Sequence, residues 1–314
     1  VLSYAMVQLD ILLHPIAPFL TEHLYLTCFR NKDSILLDRW PEQDDKFLNP
    51  GVEAGFDTIK DIVSVANAAR NLAGLKRRWP VNEVIICGQN FESLKIEGMS
   101  FVLENQLNSD RYRLVEISNN SQLQKVSDLI DKAMPVSVRT SLIRKNIAPR
   151  VKADINKVSE AFERLDKLEL VRTLRRSDGY LLGYDAKTIM LSSSDIEINY
   201  EASDGYSSVE RDGLVVFVST IRDKEAVVKG LLRDLARQIQ QLRKERRYNP
   251  TDVLDSAYIT GLTSEEIVGL SRKKDELTFL IRVKNIDLFE KDPEMKISYK
   301  VIEIDGREFK IAVE

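Results

Sequence analysis

Cysteine and histidine are both scarce: the 314-residue chain has only Cys28, Cys87, His14 and His23. Two thiols are too few for a disulfide framework or a cysteine-rich zinc site, and they fit a reduced, cytoplasmic setting. His14 lies in a proline-rich helix break and His23 inside an amphipathic stretch, a poor arrangement for shared metal ligation. Both read as packing or surface residues. Neither glycine-rich phosphate loop, G-x-G-x-x-G or G-x-x-x-x-G-K-[ST], occurs, and no Ser or Cys stands in a nucleophile elbow. Membrane-length apolar runs are missing too, since the apolar stretch at 9–16 is broken by His14 and Pro15. No signal-peptide pattern is recognisable at the start. The formal net charge of −3 excludes a protein coated in positive charge, so any nucleic-acid contact has to come from local patches. No catalytic residue and no metal ligand is therefore assigned.

What is present is an ordinary globular composition, 43% hydrophobic and 30% charged, at a length that suggests two or three domains. Leu2, Ala5, Met6, Leu9, Leu12, Leu13 and Ile16 follow helical spacing with no N-cap and no initiating Met ahead of them, which suggests a piece of a longer protein. His14-Pro-Ile-Ala-Pro18 interrupts this helix, and Pro18 is placed to open a second one over 19–29. An extended segment is expected over 34–41, ending on Trp40, and then a long helix over 52–75. Strands and helices alternate from residue 84 onward, the signature of small α/β domains. Residues 136–147 read as a strand, 155–166 as a helix, 278–284 as a strand and Asp305-Gly306 as a hairpin turn. The cleanest element is an amphipathic helix over 223–247, with Val228, Leu231, Leu232, Leu235, Ile239 and Leu242 on one face.

Three groups of cations qualify as contacts for an anionic partner. The first is Lys76-Arg77-Arg78 with Trp79 at the end of the long helix, where Arg70 projects into the apolar face. A buried guanidinium must be paired. A salt bridge to Glu22 and a contact to a ligand phosphate are the alternatives for Arg70, and stacking on a base or burial as an anchor are those for Trp79. The second group is Arg139, Arg144 and Lys145, with Arg150 and Lys152 beyond, which a solvated edge strand would equally explain. The third is the polar side of the 223–247 helix, with Arg233, Arg237, Gln240, Lys244 and Arg247, next to Arg243.

The motif Leu13-His-Pro-Ile-Ala-Pro-Phe-Leu-Thr-Glu-His-Leu-Tyr25 resembles the helix break in the anticodon-binding bundle of class I aminoacyl-tRNA synthetases for aliphatic residues. Ala69-Arg70, Leu75-Lys-Arg-Arg-Trp-Pro80, Leu231-Leu-Arg-Asp-Leu-Ala-Arg-Gln-Ile-Gln-Gln-Leu-Arg-Lys-Glu245 and Asn249-Pro-Thr-Asp252 are more particular to isoleucyl-tRNA synthetase of the archaeal and eukaryotic type. The two ATP-site motifs of the class, an editing domain and a zinc-binding tail are absent. The resemblance implies an α+β multidomain chain: a truncated anticodon-binding helical bundle over 1–82, a small α/β domain over 83–153 and C-terminal α/β over 154–314. It implies binding of the isoleucine tRNA at the anticodon stem and loop, through Arg70, Lys76, Arg77, Arg78, Trp79, Arg139, Arg144, Lys145, Arg237, Arg243 and Lys244. ATP and magnesium would belong to the parent ligase and no cofactor to this part. The alternative is a structural module docking onto the rest of the synthetase or onto other synthetases.

Overall fold

The computed structural model describes residues 2–29, 31–43, 45–177, 179–293 and 297–314; Val1, the first residue of the expected 1–82 bundle, lies outside them. The chain divides into two compact units, Val1–Glu53 and Ala54–Glu314.

In the first unit, α1 (Leu2–Leu13) stops at His14-Pro15, and α2 (Pro18–Leu24) opens with Pro18 in its first turn, where a missing N–H costs nothing. The His14 ring and the Thr21 hydroxyl share a hydrogen bond of 2.8 Å across the break. A π-helical turn, Tyr25–Phe29, follows. The segment expected to be extended folds instead as a 3-10 turn, Ile35–Leu37. The Ser34 side chain caps this turn, and competition of that kind draws a short apolar run out of strand geometry. Trp40 is exposed rather than an anchor. Val7, Ile11, Tyr25 and Ile35 form a small core. α1 is apolar nearly all round, yet Leu2, Leu9, Leu12 and Leu13 face solvent, as do Ile16 and Phe19 beyond it.

α3 (Pro50–Leu72) leads into the second unit and buries Ile59, Ile62, Val65, Ala66 and Ala69. There follow β1 (Val84–Gly88), α4 (Met99–Leu107) and β2 (Tyr112–Glu116). The next stretch holds α5 (Gln122–Asp131), β3 (Val136–Leu142), α6 (Arg144–Val151), α7 (Ile155–Glu163), α8 (Lys167–Arg176), β4 (Tyr180–Tyr184), β5 (Lys187–Leu191) and β6 (Ile196–Ala202). Then come β7 (Tyr206–Arg211), β8 (Leu214–Ser219), α9 (Lys224–Glu245), β9 (Leu254–Thr260), α10 (Ser264–Ser271), α11 (Lys274–Ile281), β10 (Val283–Phe289), β11 (Lys300–Ile304) and β12 (Arg307–Val313).

Two four-stranded sheets organise these elements, and they share one topology. The first has the order β2-β1-β8-β7: β1 runs parallel to β2 and antiparallel to β8, and β7–β8 is a hairpin. The second has the order β10-β9-β12-β11, with β9 parallel to β10, antiparallel to β12, and β11–β12 a hairpin. A long helix precedes each, α3 the first and α9 the second. Residues 122–202 are thus an insertion between β2 and β7. They carry a core of their own around Ile147, Phe162, Leu170 and Leu191, with paired strands β3–β6 and β4–β5.

The expected domain break at 153 falls inside this insertion, because the sheet that β1 begins is closed by β7 and β8, far along the chain. The 136–147 strand ends at Leu142, and Arg144 opens a helix instead. The 278–284 strand likewise divides: Leu277 and Ile281 are one helical turn apart and both buried, so α11 runs to Ile281 before Arg282, at φ 53°, turns into β10. Short apolar runs satisfy either period, and here packing decides. The Asp305-Gly306 turn is formed as expected, with both residues at positive φ, the geometry of a tight hairpin.

Candidate nucleic-acid interface

The basic turn after α3 lies within a network of partners. Arg70 is only 2% exposed, and its guanidinium donates to the carbonyls of Trp79 (2.7 Å), Leu107 (2.7 Å) and Asn108 (2.9 Å). Its donors thus go to main-chain carbonyls, where the sequence offered a carboxylate or a phosphate as the partner. Leu107 ends α4 and Asn108 is its left-handed C-cap, so the planar fork of Arg70 satisfies carbonyls that a helix end leaves over. Burial, with the nearby charges of Arg233 and Arg77, pushes the Arg70 pKa down to about 10, still charged at neutral pH.

Arg243 repeats this device in the second sheet region. It is 2% exposed and donates to the carbonyls of Ile281 (2.8 Å), Arg282 (2.9 Å) and Asp252 (2.7 Å). Ile281 ends α11 and Arg282 is its left-handed C-cap, matching the places of Leu107 and Asn108. Arg243, expected among the RNA contacts, thus has both terminal nitrogens committed to main-chain carbonyls inside the fold.

Trp79 is a packing anchor, 9% exposed. Its Nε1–H donates to Asp234 Oδ2 at 2.7 Å. A methyl group at Gly230 would lie 3.3 Å from its ring carbons, so α9 presents bare backbone where the indole seats. The Arg222 guanidinium lies 4.0 Å and the Lys76 ammonium 4.7 Å from the ring centre. Arg78 pairs with the same Asp234, itself 2% exposed. Lys76 pairs with Asp305 at 2.5 Å, in the β11–β12 turn. Arg233 reaches across to the Arg78 carbonyl (3.0 Å) and Asn108 (2.5 Å). The turn thus fastens the first sheet region to α9.

Arg77 alone of the three consecutive cations is exposed with no side-chain partner among the described residues. Replacing Arg77 with Ala is expected to leave the thermal midpoint unchanged, whereas Arg78→Ala lowers it by a few degrees. Equal midpoints in differential scanning calorimetry would contradict the Asp234 network.

The remaining candidates are scattered. Arg139 is exposed on β3 and pairs with Glu201 at 2.6 Å. Arg144 and Lys145 project from the first turn of α6. Arg237 and Lys244 are exposed on α9. Asp234, Gly230 and Arg222 were not singled out from sequence. Asp234 carried a usable signal, because it lies within the apolar stripe between Leu231 and Leu235 just as Arg70 lies within that of α3. Arg243 carried the same one, at helical spacing from Leu232, Ala236 and Ile239.

Cys87 is buried, and burial pushes its thiol up to about 12. Among the described residues no three His, Cys, Asp or Glu side chains come together to hold a metal ion, and no helix is long and apolar enough to cross a membrane.

Residues 1–86 match the family model described as the anticodon-binding domain of tRNA ligase. Similar relatives include several isoleucine–tRNA ligases. That of Methanosarcina barkeri is 27% identical over 252 residues, 78% of this chain and 23% of the relative. That of Pyrococcus abyssi is 27% identical over 281 residues, 88% and 24% respectively. That of Sulfolobus acidocaldarius is 28% identical over 247 residues, 78% and 22%. The chain therefore spans less than a quarter of the length of these ligases, and the aligned lengths exceed the 86 residues that the family model matches.

Proposed function

We propose that this chain is a tRNA-binding C-terminal portion of an isoleucine–tRNA ligase, acting at the anticodon stem and loop of the isoleucine tRNA in the cytoplasm. The observation that carries this reading is the anticodon-binding match over residues 1–86, which ends just past the basic turn. The parent would ligate isoleucine to its tRNA with ATP and magnesium. This portion would contribute binding and positioning, and be inactive alone.

Within that reading the phosphate contacts fall to cations with free donors. Arg77 is the candidate of the basic turn, with Arg144 and Lys145 on α6 and Arg237 and Lys244 on α9 as others. Titration with labelled isoleucine tRNA across a salt series tests it. Affinity is expected to fall steeply with salt, and Arg77→Ala to reduce the slope of log K against log salt by about one. Affinity unmeasurable at low salt, or a flat slope for the intact chain, would sink the reading.

A second reading is favoured by the first unit. Ile16, Phe19, Leu36 and Leu37 stand in water, Phe19 at 92% exposure, and a helix apolar on all sides is ordinarily enclosed. These exposed apolar side chains suit docking onto the remainder of the synthetase chain, a role that coexists with tRNA binding.

A further inference from the structure

The second sheet region carries a surface that joins an exposed aromatic ring to unpaired cations. On α11, Leu277 and Ile281 are buried, but Phe279 is 82% exposed and Leu280 partly so. The last turn of α11 is fixed against α9 by Gln240, whose amide donates to the Leu280 carbonyl at 2.6 Å, and by Arg243 at Ile281. Arg237 and Lys244 flank Gln240 on the exposed face of α9, at i−3 and i+4. Arg282, the residue after α11, is exposed and held in the left-handed conformation. The side chains of Arg237, Lys244 and Arg282 have no partner among the described residues. Asp275 and Glu276, in the first turn of α11, bound the patch at its other end.

We propose that Phe279, with Arg237, Lys244 and Arg282, forms a binding surface for a single-stranded RNA segment, the ring stacking on a base and the cations contacting the flanking phosphates. This surface rests on the RNA-binding reading above and adds to its contacts Phe279 and Arg282, both outside the anticodon-binding match. A phenyl ring in water gains from covering its face, every base offers one, and cations beside it neutralise the backbone that must pass. A purely apolar partner would leave the unpaired cations to be desolvated without compensation, which disfavours it here. The fixed backbone of α9 and α11 means that the site needs no ordering before RNA arrives.

The test is a fluorescence-anisotropy titration of the intact chain with a labelled single-stranded RNA, a duplex of equal length and isoleucine tRNA. Phe279→Ala is expected to weaken single-strand binding by about 5- to 100-fold while leaving duplex affinity unchanged, and Phe279→Tyr to restore it. The double variant R237A/K244A is expected to reduce the single-strand salt slope by about 1.4. Because all three side chains are exposed, melting midpoints should match the unsubstituted chain. If that chain binds RNA and Phe279→Ala binds single strands equally well, the stacking surface is refuted and the anticodon reading stands. If the unsubstituted chain binds none of the three RNAs, both fail.

Discussion

Substituting Arg243 with Met is expected to destabilise the second unit by about 3–5 kcal/mol, and Arg70→Met by a similar amount. Neither arginine faces a carboxylate, so the usual argument about buried ion pairs does not apply. Each instead supplies donors to main-chain carbonyls, Arg70 to Trp79, Leu107 and Asn108 and Arg243 to Asp252, Ile281 and Arg282. Methionine fills most of the space but donates nothing. Each buried acceptor left unpaired costs about 1–3 kcal/mol, discounted where a carbonyl keeps a second bond, as Arg282 does with the Leu254 amide. Lysine should recover only part of the loss, because a single ammonium cannot span acceptors that a guanidinium fork reaches in one plane. Urea denaturation at neutral pH measures both. If Arg243→Met unfolds at the same midpoint as the unsubstituted chain, the carbonyl-capping role is wrong.

Much of this device was legible in the chain. Arg70 stood out as a cation on an apolar face, and the need for a buried guanidinium to have partners followed from physics alone. What could not be read was the identity of those partners. The carbonyls of Leu107 and Asn108 are far along the chain, and only the sheet topology brings the end of α4 beneath α3. The same limit hid the shared order of the two sheets, since residues 122–202 separate β2 from β7 and break any repeat period. Local signals fared best where one period dominated, as in α9, and worst where a short apolar run fitted both, as at 278–284. α8 was missed because its stripe of Leu170, Val171 and Leu174 is set among charges, although Asp166 caps it by accepting from the amides of Leu168 and Glu169. At the basic turn, three adjacent cations suggested an exposed tip. The acids that neutralise two of them, Asp234 and Asp305, come from α9 and the β11–β12 turn, so tertiary structure rather than sequence proximity decides which charge stays free.

That decision can be separated experimentally at Trp79. Trp79→Ala is expected to cost about 3–5 kcal/mol, the range for deleting a large buried ring. Trp79→Phe keeps most of the packing over Gly230 but removes the Nε1–H that Asp234 accepts, and should cost about 1–3 kcal/mol. Asp234→Asn weakens the tie to Arg78 as well, so its effect is expected to be non-additive with Trp79→Phe, and a double-mutant cycle measures the coupling directly. A base-stacking tryptophan predicts the reverse pattern: Trp79→Ala would lower tRNA affinity with little change in stability, and Trp79→Phe would keep the affinity. The geometry favours the first pattern, because the ring is only 9% exposed, with α9 at Gly230 packed against it and the Arg222 and Lys76 cations 4.0 and 4.7 Å from its centre. The turn then contributes to RNA binding through Arg77, whose position depends on the anchor next to it. Loss of the anchor should therefore weaken tRNA binding only to the extent that it unfolds the turn, and a Trp79→Phe chain that remains folded should bind isoleucine tRNA with unchanged affinity and salt slope.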